Sequence, residues 1–187
     1  MIGGRNEDGV LSNIEAVSLQ NEDFSCNPQH LPYGVADHSS VHVPSLKGVL
    51  TCGGWDENLD GIMRPPDATK CVLQTKDKAP TLFASMNKGR EDFGMVSNEQ
   101  KIFSFGGYGR DLDMETIDMK GGQWEIESMP FNVNHHCVVR VQERIIITGG
   151  MDFTNFDEVS KPENIFLKRQ KKNFLEFDLN NKQLFLS

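Results

Sequence analysis

The residues best suited to chemistry in this 187-residue chain fall into four groups. Asp56-Glu57-Asn58-Leu59-Asp60-Gly61-Ile62, with Asp67 at the twelfth position, has the spacing of a calcium loop. Positions one, three and five offer oxygen ligands, six is glycine and twelve is acidic. Such a loop needs flanking helices, and here it joins two strand-like runs. Pro65-Pro66 also interrupts its second half, so a solvated turn is the favoured reading and no metal is assigned. His135 and His136 are adjacent, and neighbours on a strand point to opposite faces. His38 and His42 share a face but stand about 13 Å apart at strand rise. No His, Cys or carboxylate cluster has ligand spacing. Cys26, Cys52, Cys71 and Cys137 include no CxxC pair. Cys52 and Cys71 end one strand and begin the next, so they could face each other in a cross-strand disulfide if the protein is exported. Four buried thiols in a cytosolic protein is the favoured alternative. The basic run Lys168-Arg169-Gln170-Lys171-Lys172 could address a nucleus or an acidic partner, and a solvated loop is favoured over both.

These groups are hung on a repeated phrase, an apolar run that ends in two glycines. It occurs at Met1-Ile2-Gly3-Gly4, Val49-Leu50-Thr51-Cys52-Gly53-Gly54, Ile102-Phe103-Ser104-Phe105-Gly106-Gly107 and Ile145-Ile146-Ile147-Thr148-Gly149-Gly150. Gly3, Gly53, Gly106 and Gly149 lie 50, 53 and 43 residues apart, a period that marks a repeat architecture. The β-branched run reads as a buried strand that the glycines close. Other columns keep step. A first run precedes the phrase, at Asp37-His38-Ser39-Ser40-Val41, Asp92-Phe93-Gly94-Met95-Val96 and His135-His136-Cys137-Val138-Val139. A third run follows it, in which Val17, Ile117 and Phe177 align. A short fourth run is clearest at Gln123-Trp124-Glu125-Ile126-Glu127.

Four strands per period of about 50 residues, with a glycine pair closing the second, resembles the kelch repeat of β-propellers. The resemblance covers nearly the whole chain and includes Trp124, where such repeats often carry a fourth-strand tryptophan. Only Arg90 supplies the arginine often found ahead of the first strand, and the last repeat carries an insertion from about Met151 to Lys172. The expected fold is all-β, with four-stranded antiparallel blades over 1–30 (partial), 31–85, 86–128 and 129–187. Strands are expected near 14–19 and 23–26, then 38–43, 48–52, 70–75 and 80–84, then 92–97, 101–105, 114–119 and 123–127. The last set is expected near 135–141, 144–148, 174–179 and 182–186. Met1 falls inside what should be a second strand. About three and a half blades fall short of the roughly four to eight that close a ring. The expectation is therefore an incomplete ring: a fragment of a longer kelch protein, or an arc completed by another copy through its exposed blade faces.

Strands alternate in direction, so the loops after strands two and four leave from one face. The strand-two loops are the long ones, and long loops on a rigid scaffold are where binding usually lives. In the kelch family that face docks partners. The resemblance implies a protein-binding scaffold or adaptor, with Trp55, Asp56, Arg64, Lys88, Arg90, Tyr108, Arg110 and Asp111 as contact residues. Trp, Tyr and Arg dominate interface energetics. Covering the edge of a blade core is the competing role for Trp55 and Tyr108, and bridging blades the competing role for Arg90.

Net charge is −8 and the isoelectric point is near 5.1, which argues against a nucleic-acid surface. No apolar stretch approaches a membrane span, and no signal pattern opens the chain. A cytoplasmic location is favoured and secretion is the alternative. Some kelch-like propellers are copper oxidases or sugar isomerases. An oxidase would need tyrosine and histidine ligands, and Tyr33 and Tyr108 are the only tyrosines, neither beside a histidine cluster. No catalytic residue and no cofactor is therefore expected.

Overall fold

The computed structural model describes residues 2–15, 29–55, 68–76, 78–108, 113–120, 122–129 and 132–151, with the backbone of 174–178 and 183–186. The fold is all-β and antiparallel. The N-terminal part contributes short strands: β1 (Arg5–Asn6) pairs β2 (Gly9–Val10), and β3 (Asn13–Ile14) pairs β4 (Gln29–His30). Ile2 bridges Ile14. The fourth strand expected near 23–26 lies outside the described residues, as does most of the third expected near 14–19.

Three four-stranded sheets follow. The first runs β5 (Ser39–Val43), β6 (Gly48–Cys52), β7 (Cys71–Thr75) and β8 (Lys78–Phe83). The second runs β9 (Gly94–Ser97), β10 (Lys101–Phe105), β11 (Asp113–Asp118) and β12 (Glu125–Ser128). The third runs β13 (Asn134–Val141), β14 (Arg144–Met151), β15 (Phe174–Asp178) and β16 (Gln183–Leu186). Within each sheet spatial order equals chain order. Pro80 sits in the outer strand β8, where a missing N–H costs no central ladder bond. One expectation fails in detail: the last glycine pair does not end its strand, because β14 runs through Gly149 and Gly150 and Met151 still pairs Asn134.

The sheets stack face to face. β9 lies beside β5 on one side and β13 on the other, and Ser97 Oγ donates to the His42 carbonyl at 2.8 Å across the first boundary. Apolar side chains fill three successive layers. Ile14, Leu31, Val35 and Val72 join the N-terminal strands to the first sheet. Val43, Leu50, Cys52, Cys71, Met86, Phe93, Met95, Ile102, Ile117 and Trp124 join the first sheet to the second. Val96, Phe103, Phe105, Met114, Met129, Val133, Ile145 and Ile147 join the second to the third. Full burial of such a side chain is worth about 1.5–3 kcal/mol. Trp124 is buried at the outer rim of the middle layer, and its Nε1 donates to the Ala84 carbonyl at 2.8 Å.

The glycine pairs make this stacking possible. A Cβ on Gly53 would collide with the Arg90 carbonyl and the Phe93 ring of the next sheet. One on Gly54 would collide with the Ala36 carbonyl and His38 of its own sheet, and both residues have positive φ. With the Cβ absent, the Gly54 N–H reaches the Arg90 carbonyl at 2.8 Å. The same latch joins Gly4 to Val35 at 2.7 Å and Gly107 to Val133 at 3.0 Å.

Cys52 and Cys71 are register partners on β6 and β7 and are joined by a disulfide. The expectation of four buried thiols is thereby corrected. Two cysteines are bridged in the core, Cys137 is exposed on β13, and Cys26 lies outside the described residues.

Candidate functional site

The latches gather one set of residues at the end of the sheets from which segments 56–67 and 109–112 depart. Asp37, Asp92 and His135 occupy the same position, just ahead of or at the start of β5, β9 and β13, and all three are left-handed, with φ of 55°, 53° and 51°. Asp and His tolerate that conformation better than most L-residues. The turn lets each backbone step to its neighbour: the Asp92 N–H donates to the Asp37 carbonyl and the His135 N–H to the Asp92 carbonyl, both at 2.9 Å. A row of acidic and imidazole side chains is thereby carried from sheet to sheet.

Within the row, His135 Nε2 lies 3.1 Å from Asp92 Oδ2, and both side chains reach solvent. Partial burial pushes the Asp92 carboxyl up from its usual range. His135 opposes that shift and the Asp37 carboxylate adds to it. Behind the row, burial lowers the pKa of His38, and lowers that of His136 to about 4. Both are therefore neutral at pH 7, and neither ring nitrogen of His136 has a hydrogen-bond partner.

The flanks carry stacked aromatics. Trp55 exchanges backbone hydrogen bonds with Ala36 at 2.7 and 3.0 Å, and the Arg5 guanidinium sits 4.3 Å from its ring centroid. Lys70 Nζ lies 5.3 Å from the Tyr33 ring. Tyr108, whose N–H donates to the Glu91 carbonyl at 2.9 Å, is 43% exposed. A cation over an aromatic face contributes about 0.5–1 kcal/mol where exposed.

Of the residues expected to contact a partner, Trp55 and Tyr108 stand at this end. Lys88 does too, but its Nζ is paired with the Asp113 carboxylate. Arg90 is corrected: it is 1% exposed and its guanidinium is fully engaged. Its Nη1 donates to the Gly106 carbonyl at 2.6 Å, and its Nη2 to Glu115 Oε1 at 3.1 Å and to Asp113 Oδ1. Glu115, wholly buried, also accepts from the N–H groups of Asn87 and Lys88 at 2.7 and 3.0 Å. Arg90 thus braces the second sheet from its interior. Asp56, Arg64, Arg110 and Asp111 lie outside the described residues, as do the acidic loop 56–67 and the basic run 168–172. Among the described residues, no group of three or more His, Cys, Asp or Glu side chains could hold a metal ion.

Sequence reasoning aligned Asp37, Asp92 and His135 but did not weigh them as a site. The readable signal was that column itself: left-handed-tolerant polar residues at the same place in three repeats. Arg5, Tyr33 and Lys70 gave no such signal.

No family model matches the chain, and no curated protein matches it. Among solved structures, one described as the structure of YjhT resembles it with a TM-score of 0.59 and 18% sequence identity. The match covers 83% of this chain and 52% of that one, so the chain spans about half the length of its structural neighbour. At that identity the likeness bears on fold alone.

Proposed function

We propose that the chain is an arc of a kelch-type β-propeller, with blades over 1–30 (partial), 31–85, 86–128 and 129–187, serving as a protein-binding scaffold. The partner docks on the glycine-pair end. The observation that carries this reading is the placement of Trp55, Tyr108 and the Asp92–His135 pair together there, on backbone that latches hold from sheet to sheet. Rigid aromatic and charged groups at one end of a fixed frame suit recognition of another protein, because little side-chain entropy is lost on docking. The Cys52–Cys71 bridge supports an oxidising compartment, since such bonds persist there and are rare in the cytosol.

Affinity capture with paired variants tests the docking reading. Trp55→Ala with Tyr108→Ala should release specific partners, with a loss of about 2 kcal/mol for each central anchor. Glu99→Ala with Lys47→Ala, at the opposite end, should retain them. Partners lost only with the second pair would overturn the assignment.

A further inference from the structure

Two of the segments that leave the glycine-pair end are anchored through one residue. Gly54 stands before segment 56–67 and Ala68 after it. The Arg90 carbonyl accepts from the Gly54 N–H at 2.8 Å, and the Arg90 N–H donates to the Ala68 carbonyl at 3.1 Å. Gly106 stands before segment 109–112 and Asp113 after it. Arg90 Nη1 donates to the Gly106 carbonyl at 2.6 Å and to the Asp113 carbonyl at 3.3 Å, and Nη2 donates to Asp113 Oδ1. The backbone of Arg90 therefore holds two chain ends of the first sheet, and its guanidinium holds two of the second.

Arg90 is itself fixed. Its Nε and Nη2 donate to Glu115 Oε1 at 3.3 and 3.1 Å, and Glu115 also receives the N–H groups of Asn87 and Lys88, just upstream of Arg90. Lys88 Nζ pairs with the second carboxylate oxygen of Asp113. Two cations thus balance two carboxylates, the condition under which a buried guanidinium is tolerated. A planar fork of donors can serve two carbonyls and two carboxylates at once, where an ammonium acts as a point charge. Val35 and Val133 accept the same backbone latch, from Gly4 and Gly107, but valine has no side-chain donor to reach a neighbouring segment. We propose that Arg90 is the positioning residue of the docking end, setting Trp55 and Tyr108 at one separation across the boundary between the first and second sheets. A partner then engages both sheets together, and a fixed pair of anchors loses little freedom on docking. That use rests on the proposed function, whereas the clamp itself does not.

Fluorine NMR tests the clamp without a partner. The chain has two tryptophans and two tyrosines, so 5-fluorotryptophan reports Trp55 beside Trp124, and 3-fluorotyrosine reports Tyr108 beside Tyr33. Arg90→Lys keeps the backbone hydrogen bonds and a cation but cannot hold Gly106 and Asp113 together. It should move the Tyr108 signal by more than its linewidth and leave the Trp55 signal in place. Ile117→Val, which trims the same core layer, should lower the urea midpoint and move neither signal. If Arg90→Lys loses its far-ultraviolet spectrum, Arg90→Gln with Glu115→Gln removes the buried charge pair and is read in the same way. A Tyr108 signal that stays in place, a Trp55 signal that moves with it, or an equal Tyr108 shift in Ile117→Val would each overturn the inference. A shifted Tyr108 signal, with partners still captured by the Trp55→Ala, Tyr108→Ala chain, would sink the docking reading and leave the clamp standing.

Discussion

The middle and last core layers rest on the same backbone and are filled differently. Gly54 donates to the carbonyl of Arg90 and Gly107 to that of Val133, so the two residues occupy equivalent places. Arg90 sends a guanidinium into the second sheet, where buried Glu115 and Asp113 receive it. Val133 adds only apolar surface to its layer. Three residues further on, Phe93 packs against Gly53 in the middle layer, whereas the equivalent residue before the last layer is His136, buried and with neither ring nitrogen hydrogen-bonded. The latch is thus indifferent to the side chain that follows it. The middle layer depends on a charge network that fails if one member is lost. The last layer depends on packing and carries a titratable weak point.

The largest effect should come from breaking the network. Glu115→Ala leaves the buried Arg90 guanidinium short of its partner and two N–H groups unsatisfied, and should cost about 3–5 kcal/mol in urea unfolding. Val133→Ala, at the place equivalent to Arg90, should cost about 2 kcal/mol, a cavity and nothing more. Equal costs would mean that the layers do not differ as described. Next, removal of the Cys52–Cys71 bridge by a double serine variant should cost about 3 kcal/mol, the scale for closing a loop of this size.

A pH series sharpens the contrast. Burial holds the pKa of His136 at about 4 in the folded chain, below the ordinary 6.5 of an exposed histidine. The unfolded chain therefore binds the proton more readily, and stability present above pH 6.5 drains away as pH falls towards 4. The full span is on the order of 3 kcal/mol. His136→Phe, which copies the middle layer, should remove that loss. An unchanged acid limb would show that the buried imidazole is not its source. The smallest effect belongs to the exposed Asp92–His135 pair, where His135→Ala should change stability by no more than about 0.5–1 kcal/mol.

Much of this frame was legible beforehand because it depends on period. Glycine pairs and alternating apolar runs located every strand of the three full sheets to within a few residues, and they set Cys52 opposite Cys71. The sequence leaves Arg90 open between a partner contact and a bridge between blades, because its residue type suits either. Arginine suggests a surface, yet its column elsewhere holds Val35 and Val133, both interior. The Asp92–His135 contact was out of reach for a different reason. It forms between residues 43 positions apart only when two sheets stack, and no spacing within a single repeat encodes that.

The claim that one latch serves both layers is tested most directly by native-state hydrogen exchange at the Gly54 and Gly107 amides. Both should exchange only through global unfolding, at closely similar protection, despite the different side chains around them. Slow exchange at Gly54 with fast exchange at Gly107 would contradict the account and leave the Arg90 network, and not the backbone, as what holds the sheets together.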